Sequence, residues 1–239
     1  MFLLYFSLYL CYNARCHMNI LKEARSRKSK PEARPVYKNN NFEILTGRGS
    51  TRLAAAVGAI LEQEVDQPIT LFDNKEEKPA ITHNVGQKDV FIIQSTSPPD
   101  ADHYWMELFL MIDAARRASA GEITAVIPYF GYSRQDRKDE PRVSISASAL
   151  ARQLEANGIA RIMTVDQHSE QAQGFVLIPW DNLFANVSLA PAIKQNNQIK
   201  NLVMVGPDIA GLKRASRFAK KSRHIRSCRR LQRKGRKTK

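Results

Sequence analysis

Three short stretches of this chain carry side chains suited to handling phosphate. The first is IPYFGYSRQDRKDEPR, residues 127–142, where an apolar run empties into Arg134, Gln135, Asp136, Arg137, Lys138 and Asp139. A guanidinium is a planar fork that offers phosphate two charge-assisted hydrogen bonds, so this block can grip a polyanion. A solvated loop is its ordinary alternative. The second is DQHSEQAQG, residues 166–174, which sets Asp166 beside His168. That pair can bind a metal or meet a phosphate, although a lone histidine is more often structural. The third is GPDIAG, residues 206–211, where a helix opening near Ile209 would turn its N-terminal N–H groups toward an anion beside Asp208. Asp166 and Asp208 could also simply cap helices.

All three stretches follow apolar runs, and the order of elements says why that matters. FEIL reads as a short strand and STRLAAAVGAILEQE as a capped helix with apolar residues at helical spacing. DVFIIQS and ITAVIPYF are continuous apolar strands of the doubly buried type. YWMELFLMIDAARRASA is an amphipathic helix, and ISASALARQLEANG is a helix closed by Gly158. RIMTVDQH and NLVMVGPD are further strands, each ending in a carboxylate. Strands alternating with helices give right-handed βαβ units and an α/β fold with a parallel sheet. Ligands of such sheets bind beyond the carboxyl ends of the strands, where all three stretches fall. The pattern restarts near Asn182, which suggests a second domain.

The 239 residues carry a formal net charge of +14, unevenly spread. Residues 1–40 are net +6, residues 41–208 net −6, and residues 209–239 hold 14 Lys/Arg with no Asp or Glu. The acidic body argues against a nucleic-acid-binding body, whatever the overall charge. Cys11, Cys16 and Cys228 lie in the two ends, giving neither a disulfide framework nor metal-binding spacing, as in a reducing, cytoplasmic setting. FLLYFSLYLCY, Phe2–Tyr12, is too short to span a bilayer, which takes about 20 residues, and no basic residue precedes it. Residues 1–17 read as upstream sequence joined to a start at Met18, with a signal or anchor as the lesser reading. Residues 22–40 read as a basic linker. The stretch 222–239 reads as a disordered basic tail of misjoined coding sequence, or alternatively as a polyanion-binding arm.

KDVFIIQST, MELFLMIDAARRASAGEITAVIPYFGYSRQDRKDEPRVSISA, TVDQHSEQAQGF and DNLFANVSLAPAIK, in that order and spacing, resemble the ribose-phosphate pyrophosphokinase family. The resemblance covers roughly Phe42 to Lys221. It implies a phosphoribosyltransferase-like N-terminal domain over residues 41–183 and the start of a second, similar domain over 184–221. It implies that Arg134 and Gln135 hold ATP and that His168 meets the triphosphate and its Mg²⁺. Asp208 would lie at the metal and on the ribose-phosphate side. FDNKE aligns with the family's Phe-x-Asp/Asn-x-Glu loop, so Phe72, Asn74 and Glu76 would reach the adenine of a neighbouring subunit in an oligomer. The implied reaction is attack by the 1-hydroxyl of ribose 5-phosphate on the β-phosphorus of Mg·ATP. The resemblance assigns no catalytic residue among these positions.

The chain departs from the family pattern in places. Gln167 replaces an apolar residue, Ala210 and Lys75 stand where glycine is usual, and STSPPDADHYWMEL is one residue longer. After RASRFAKK the family continues to a loop lysine and an acidic sugar-phosphate loop, which SRHIRSCRRLQRKGRKTK does not match. Those differences lead us to expect little synthesis by this chain alone. They keep open a non-catalytic homologue that binds nucleotide and assembles with a complete synthetase. A basic-tailed nucleic-acid binder is a third reading, disfavoured by the acidic body. Neither a specific nucleic-acid partner nor a membrane is expected.

Overall fold

The apolar runs FEILT, DVFII, ITAVI and RIMTV form β1 (Phe42–Thr46), β5 (Asp89–Ile93), β6 (Ile123–Ile127) and β7 (Arg161–Val165), the centre of one sheet. A computed structural model describes residues 41–189, Val203–Gly206, Gly211, Ala215, Ser216 and Arg226–Arg229. With β2 (Val65–Asp66) and β8 (Trp180–Leu183) at its edges, the sheet has six strands in the order β2-β1-β5-β6-β7-β8. Every neighbouring pair is parallel. A separate antiparallel hairpin joins β3 (Ile69–Leu71) to β4 (Glu77–Pro79).

Side chains alternate across a strand, so each apolar run feeds two cores. Val90, Ile92, Ile123, Ala125, Ile127 and Ile162 face helices α2 (Ala101–Arg117) and α3 (Ser146–Ala156). Phe42, Ile44, Phe91, Ile93, Val126 and Met163 share the other core with α1 (Thr51–Leu61). Helix α2 buries Trp105, Leu108, Met111, Ile112 and Ala115 at helical spacing. Asp102 in its first turn and Arg116 and Arg117 in its last suit the helix dipole. Gly158 follows α3 at φ +83°, the left-handed C-terminal position that its sequence suggested. Arg116 Nη1 reaches back to donate to the Asn157 carbonyl at 2.8 Å.

The chain divides into two compact units between Leu183 and Phe184. In the second, a helix opens at Asn186, and β9 (Val203–Gly206) pairs in parallel with β10 (Arg226–Arg229). β10 lies inside the stretch expected to be a disordered tail. Strand pairing is made by backbone groups, so a basic composition does not exclude it. No helix among the described residues is long and apolar enough to cross a membrane.

Candidate functional site

The order of strands reverses at β1: the chain steps outward to β2, then returns to β5 on the other side. Doubly wound sheets open their crevice at such a point, beyond the carboxyl ends of the strands. Two loops build the crevice floor here, one leaving β1 and the other leaving β5. The first holds Gly47, Arg48, Gly49 and Ser50, and the second holds Gln94, Ser95 and Thr96. Gly49 N donates to Gln94 Oε1 at 3.1 Å, and Ser95 N donates to Ser50 Oγ at 2.7 Å. The glycines are forced by contact: a Cβ on Gly47 would lie 2.5 Å from the Gln94 amide group, and one on Gly49 would lie 2.4 Å from the Ser95 carbonyl oxygen.

Beneath them sits Glu107, fully buried on the otherwise apolar face of α2. A buried carboxylate must be paired and hydrogen-bonded. Glu107 accepts from Gln94 Nε2 at 2.6 Å and from the Arg48 backbone N–H at 3.0 Å, and it also pairs with Arg48 Nε. Nη2 of the same guanidinium pairs with Glu77 at the start of β4. His103 Nδ1 stands 3.7 Å from Glu77. Burial, and then the charge of Glu107, push the Glu77 carboxyl above its ordinary range, while Arg48 and His103 oppose the shift. Sequence reading missed this network. A charge inside MELFLM and the glycine pair after FEIL were its only local signals.

Thr96 passes the order of the crevice on to the exit of β6. Its N–H donates to the Tyr129 carbonyl at 3.0 Å, and Gly131 N donates to Thr96 Oγ1 at 2.7 Å. Phe130 seats this turn, edge-on to Trp105 at 4.9 Å and stacked on Trp180 at 5.2 Å. Tyr132 then takes φ +62°, donates its hydroxyl to Asp102 at 3.2 Å, and has its pKa raised by that carboxylate. Arg134 and Gln135 come next, both exposed. The Gln135 carbonyl accepts from Ala147 N at 3.2 Å and its side-chain Oε1 from Ser146 Oγ at 2.6 Å, which ties Gln135 to the start of α3.

At the exit of the neighbouring strand β7, Asp166 takes φ +46°, and its N–H donates to the Leu183 carbonyl at 2.8 Å. Gln167 N donates to Asn182 Oδ1 at 2.9 Å. His168 is exposed just before the 3-10 helix Glu170–Phe175. Arg134, Gln135 and His168 thus all come after the carboxyl ends of adjacent strands. Phe72, Asn74 and Glu76 stand apart from them in the sequence of elements, exposed at the tip of the β3–β4 hairpin. Phe72 N donates to the Glu76 carbonyl at 2.9 Å and Glu76 N to Asn74 Oδ1 at 3.0 Å, with Lys75 between them at φ +67°. That backbone angle explains why glycine suits this position better. Asp208, expected at a metal and the sugar phosphate, lies outside the described residues, as does Ala210.

Residues 42–158 match the family model for the N-terminal domain of ribose phosphate pyrophosphokinase. The ribose-phosphate pyrophosphokinase of Rhizobium meliloti (strain 1021) is 45% identical over 181 residues, 75% of this chain and 58% of the relative. The chain belongs to the ribose-phosphate pyrophosphokinase family through its N-terminal domain. The Porphyromonas gingivalis (strain ATCC BAA-308 / W83) ribose-phosphate pyrophosphokinase is 44% identical over 182 residues, 76% of this chain and 58% of the relative. The crystal structure of phosphoribosylpyrophosphate synthetase from Mycobacterium smegmatis superposes with a TM-score of 0.73 at 33% identity, covering 79% of this chain and 63% of that one. The pyrophosphokinase fold is therefore shared, while the chain spans 58% of the length of these curated relatives.

Proposed function

We propose that this chain supplies the nucleotide side of a cytoplasmic ribose-phosphate diphosphokinase, which moves a diphosphoryl group from Mg·ATP to ribose 5-phosphate. Arg134 binds the triphosphate as a charge-assisted donor, and Gln135, fixed to the start of α3, orients it. His168 meets the same phosphates from the next strand. Phe72, Asn74 and Glu76 present the hairpin tip to the adenine held by a neighbouring copy, which makes the working form an oligomer. Asp208 serves the metal and the ribose-phosphate side.

Such chemistry calls for positioning and charge neutralisation rather than a covalent intermediate. A magnesium ion travelling with ATP supplies part of that neutralisation. The donors fit it in that role: Asp166 and His168 offer one carboxylate and one imidazole at the rim. Mg²⁺ keeps several waters and takes oxygen from substrate phosphates, so few protein ligands suffice. The observation that carries the reading is the exit of Arg134, Gln135 and His168 from the carboxyl ends of the adjacent parallel strands β6 and β7.

Calorimetric titration of the chain with Mg·ATP tests it. Arg134→Ala should weaken binding by roughly 1.5–3 kcal/mol, about tenfold or more in Kd, if the charge-assisted contact forms. Unchanged affinity in that variant overturns the assignment.

A further inference from the structure

The β3–β4 hairpin is a poor structural unit on its own. It has three paired residues per strand and shares no strand pairing with the six-stranded sheet. Isolated two-stranded hairpins are marginally stable at best in water. Its base is anchored by apolar contact, since Ile69 and Ile81 pack against the main core. Its tip is not: Leu71, Phe72 and the residues through Glu76 are exposed. Between base and tip stands Glu77, whose side chain is 3% exposed although the strand around it is largely open. Among the described residues, the only ion pairs joining this hairpin to the rest of the domain are those of Glu77 with Arg48 and His103.

Arg48 is itself fixed from behind. Its backbone N–H and its Nε both bind Glu107, and Glu107 is held by Gln94. A guanidinium can serve two carboxylates in one plane, which an ammonium on a flexible stem cannot do with the same geometry. The crevice floor between β1 and β5 is therefore joined through one side chain to the hairpin that carries Phe72, Asn74 and Glu76.

We infer that Arg48, Glu77 and Glu107 form a positioning clamp, which sets the hairpin tip in place for recognition of the nucleobase. Arg48 is the bridging residue, and its backbone N–H, Nε and Nη2 are all taken up by Glu107 and Glu77. The recognition part rests on the reading of Phe72–Glu76 as the adenine-facing segment; the clamp itself rests on the contacts alone.

Two measurements on the full chain, wild type and Arg48→Ala, separate these parts. In hydrogen exchange, the amides of Phe72, Lys75 and Glu76 should exchange about tenfold faster in the variant, with the amides of β5, β6 and β7 unchanged. In calorimetry with Mg·ATP and with magnesium tripolyphosphate, the variant should lose about fivefold of the preference for ATP. Its affinity for tripolyphosphate, which has no base, should stay the same. Arg48→Lys keeps a cation beside Glu107 without the fork, and should show the same loosening should Arg48→Ala fail to fold. Hairpin amides that do not change, or that accelerate only together with the central strands, overturn the clamp. A wild-type chain that does prefer ATP over tripolyphosphate, but by no more than its clamp variants do, overturns the role in recognition. A wild-type chain without any preference for ATP overturns the adenine reading instead, and exchange still decides the clamp.

Discussion

Glu77 keeps one carboxylate oxygen, Oε2, buried without a hydrogen-bond partner among the described residues, while the other faces Arg48. Burial disfavours its ionised form and Glu107 repels it, which Arg48 and His103 oppose only in part, so its pKa in the fold lies above the ordinary 4.5. A raised carboxyl pKa means that the folded chain binds the proton more tightly than the unfolded one. The associated stability is fully present below the unfolded pKa and is lost as pH rises through the folded value. Glu77→Gln cannot ionise and lacks that loss. Urea unfolding of both proteins, from about pH 4.5 to pH 7, should show the variant gaining on the wild type as pH rises. A difference that stays flat across the range removes Glu77 as the titrating group. Residues of this kind were the least legible in the sequence. Arg48 and Glu107 are 59 positions apart, and only the fold brings them together. Arg134 and His168 could be singled out because each comes after an apolar run that had to be a strand, which placed them beyond the carboxyl edge of the sheet before any contact was known.

The elements that positioned those residues were readable for the same reason. β5 and β6 are buried on both faces, so their composition leaves little choice, and α2 shows its apolar spacing over four turns. The short elements were missed. β2 has two residues, the hairpin strands have three each, and β8 mixes Trp180 with three half-buried residues, so none has room for a period. The hairpin also hides its turn, because Lys75 occupies the left-handed position where glycine would have announced it. The turn after β6 shows how tightly an element boundary can be fixed by one missing atom. A Cβ on Gly131 would lie 2.4 Å from the Thr96 carbonyl oxygen and 3.2 Å from Trp105 Nε1. Backbone and indole are both held, so neither can yield cheaply. Gly131→Ala should lower stability by about 1–3 kcal/mol, the usual range for overpacking a filled core. On the role proposed for Arg134, three residues further on, it should also weaken Mg·ATP binding. Denaturant unfolding and calorimetry read the two effects, and a variant as stable as the wild type contradicts the tight contact.

At the scale of the whole chain, charge and packing belong to different regions. The acidic body, residues 41–208, contains the described sheet and both apolar cores, whereas the basic excess lies before and after it. Both tryptophans of the chain, Trp105 and Trp180, sit in the larger core, one on α2 and one on β8, joined through Phe130. Trp180 also donates its indole N–H to Thr164 Oγ1 at 3.0 Å, which ties the last strand of the sheet to β7. The two cores draw on strands and helices between Phe42 and Leu183, with a division between compact units directly after it. Residues 41–183, expressed alone, should therefore fold. The fragment is within the usual size of a domain with its own core. Urea should unfold it in one cooperative step, with tryptophan emission shifting red and far-ultraviolet circular dichroism falling at the same midpoint. Ending the fragment at Pro179 removes Trp180 and β8, leaves Phe130 without its stacked partner, and should lower the midpoint or abolish the transition. Two separate transitions, or equal stability in the shorter fragment, would show that β8 is not an integral part of the domain.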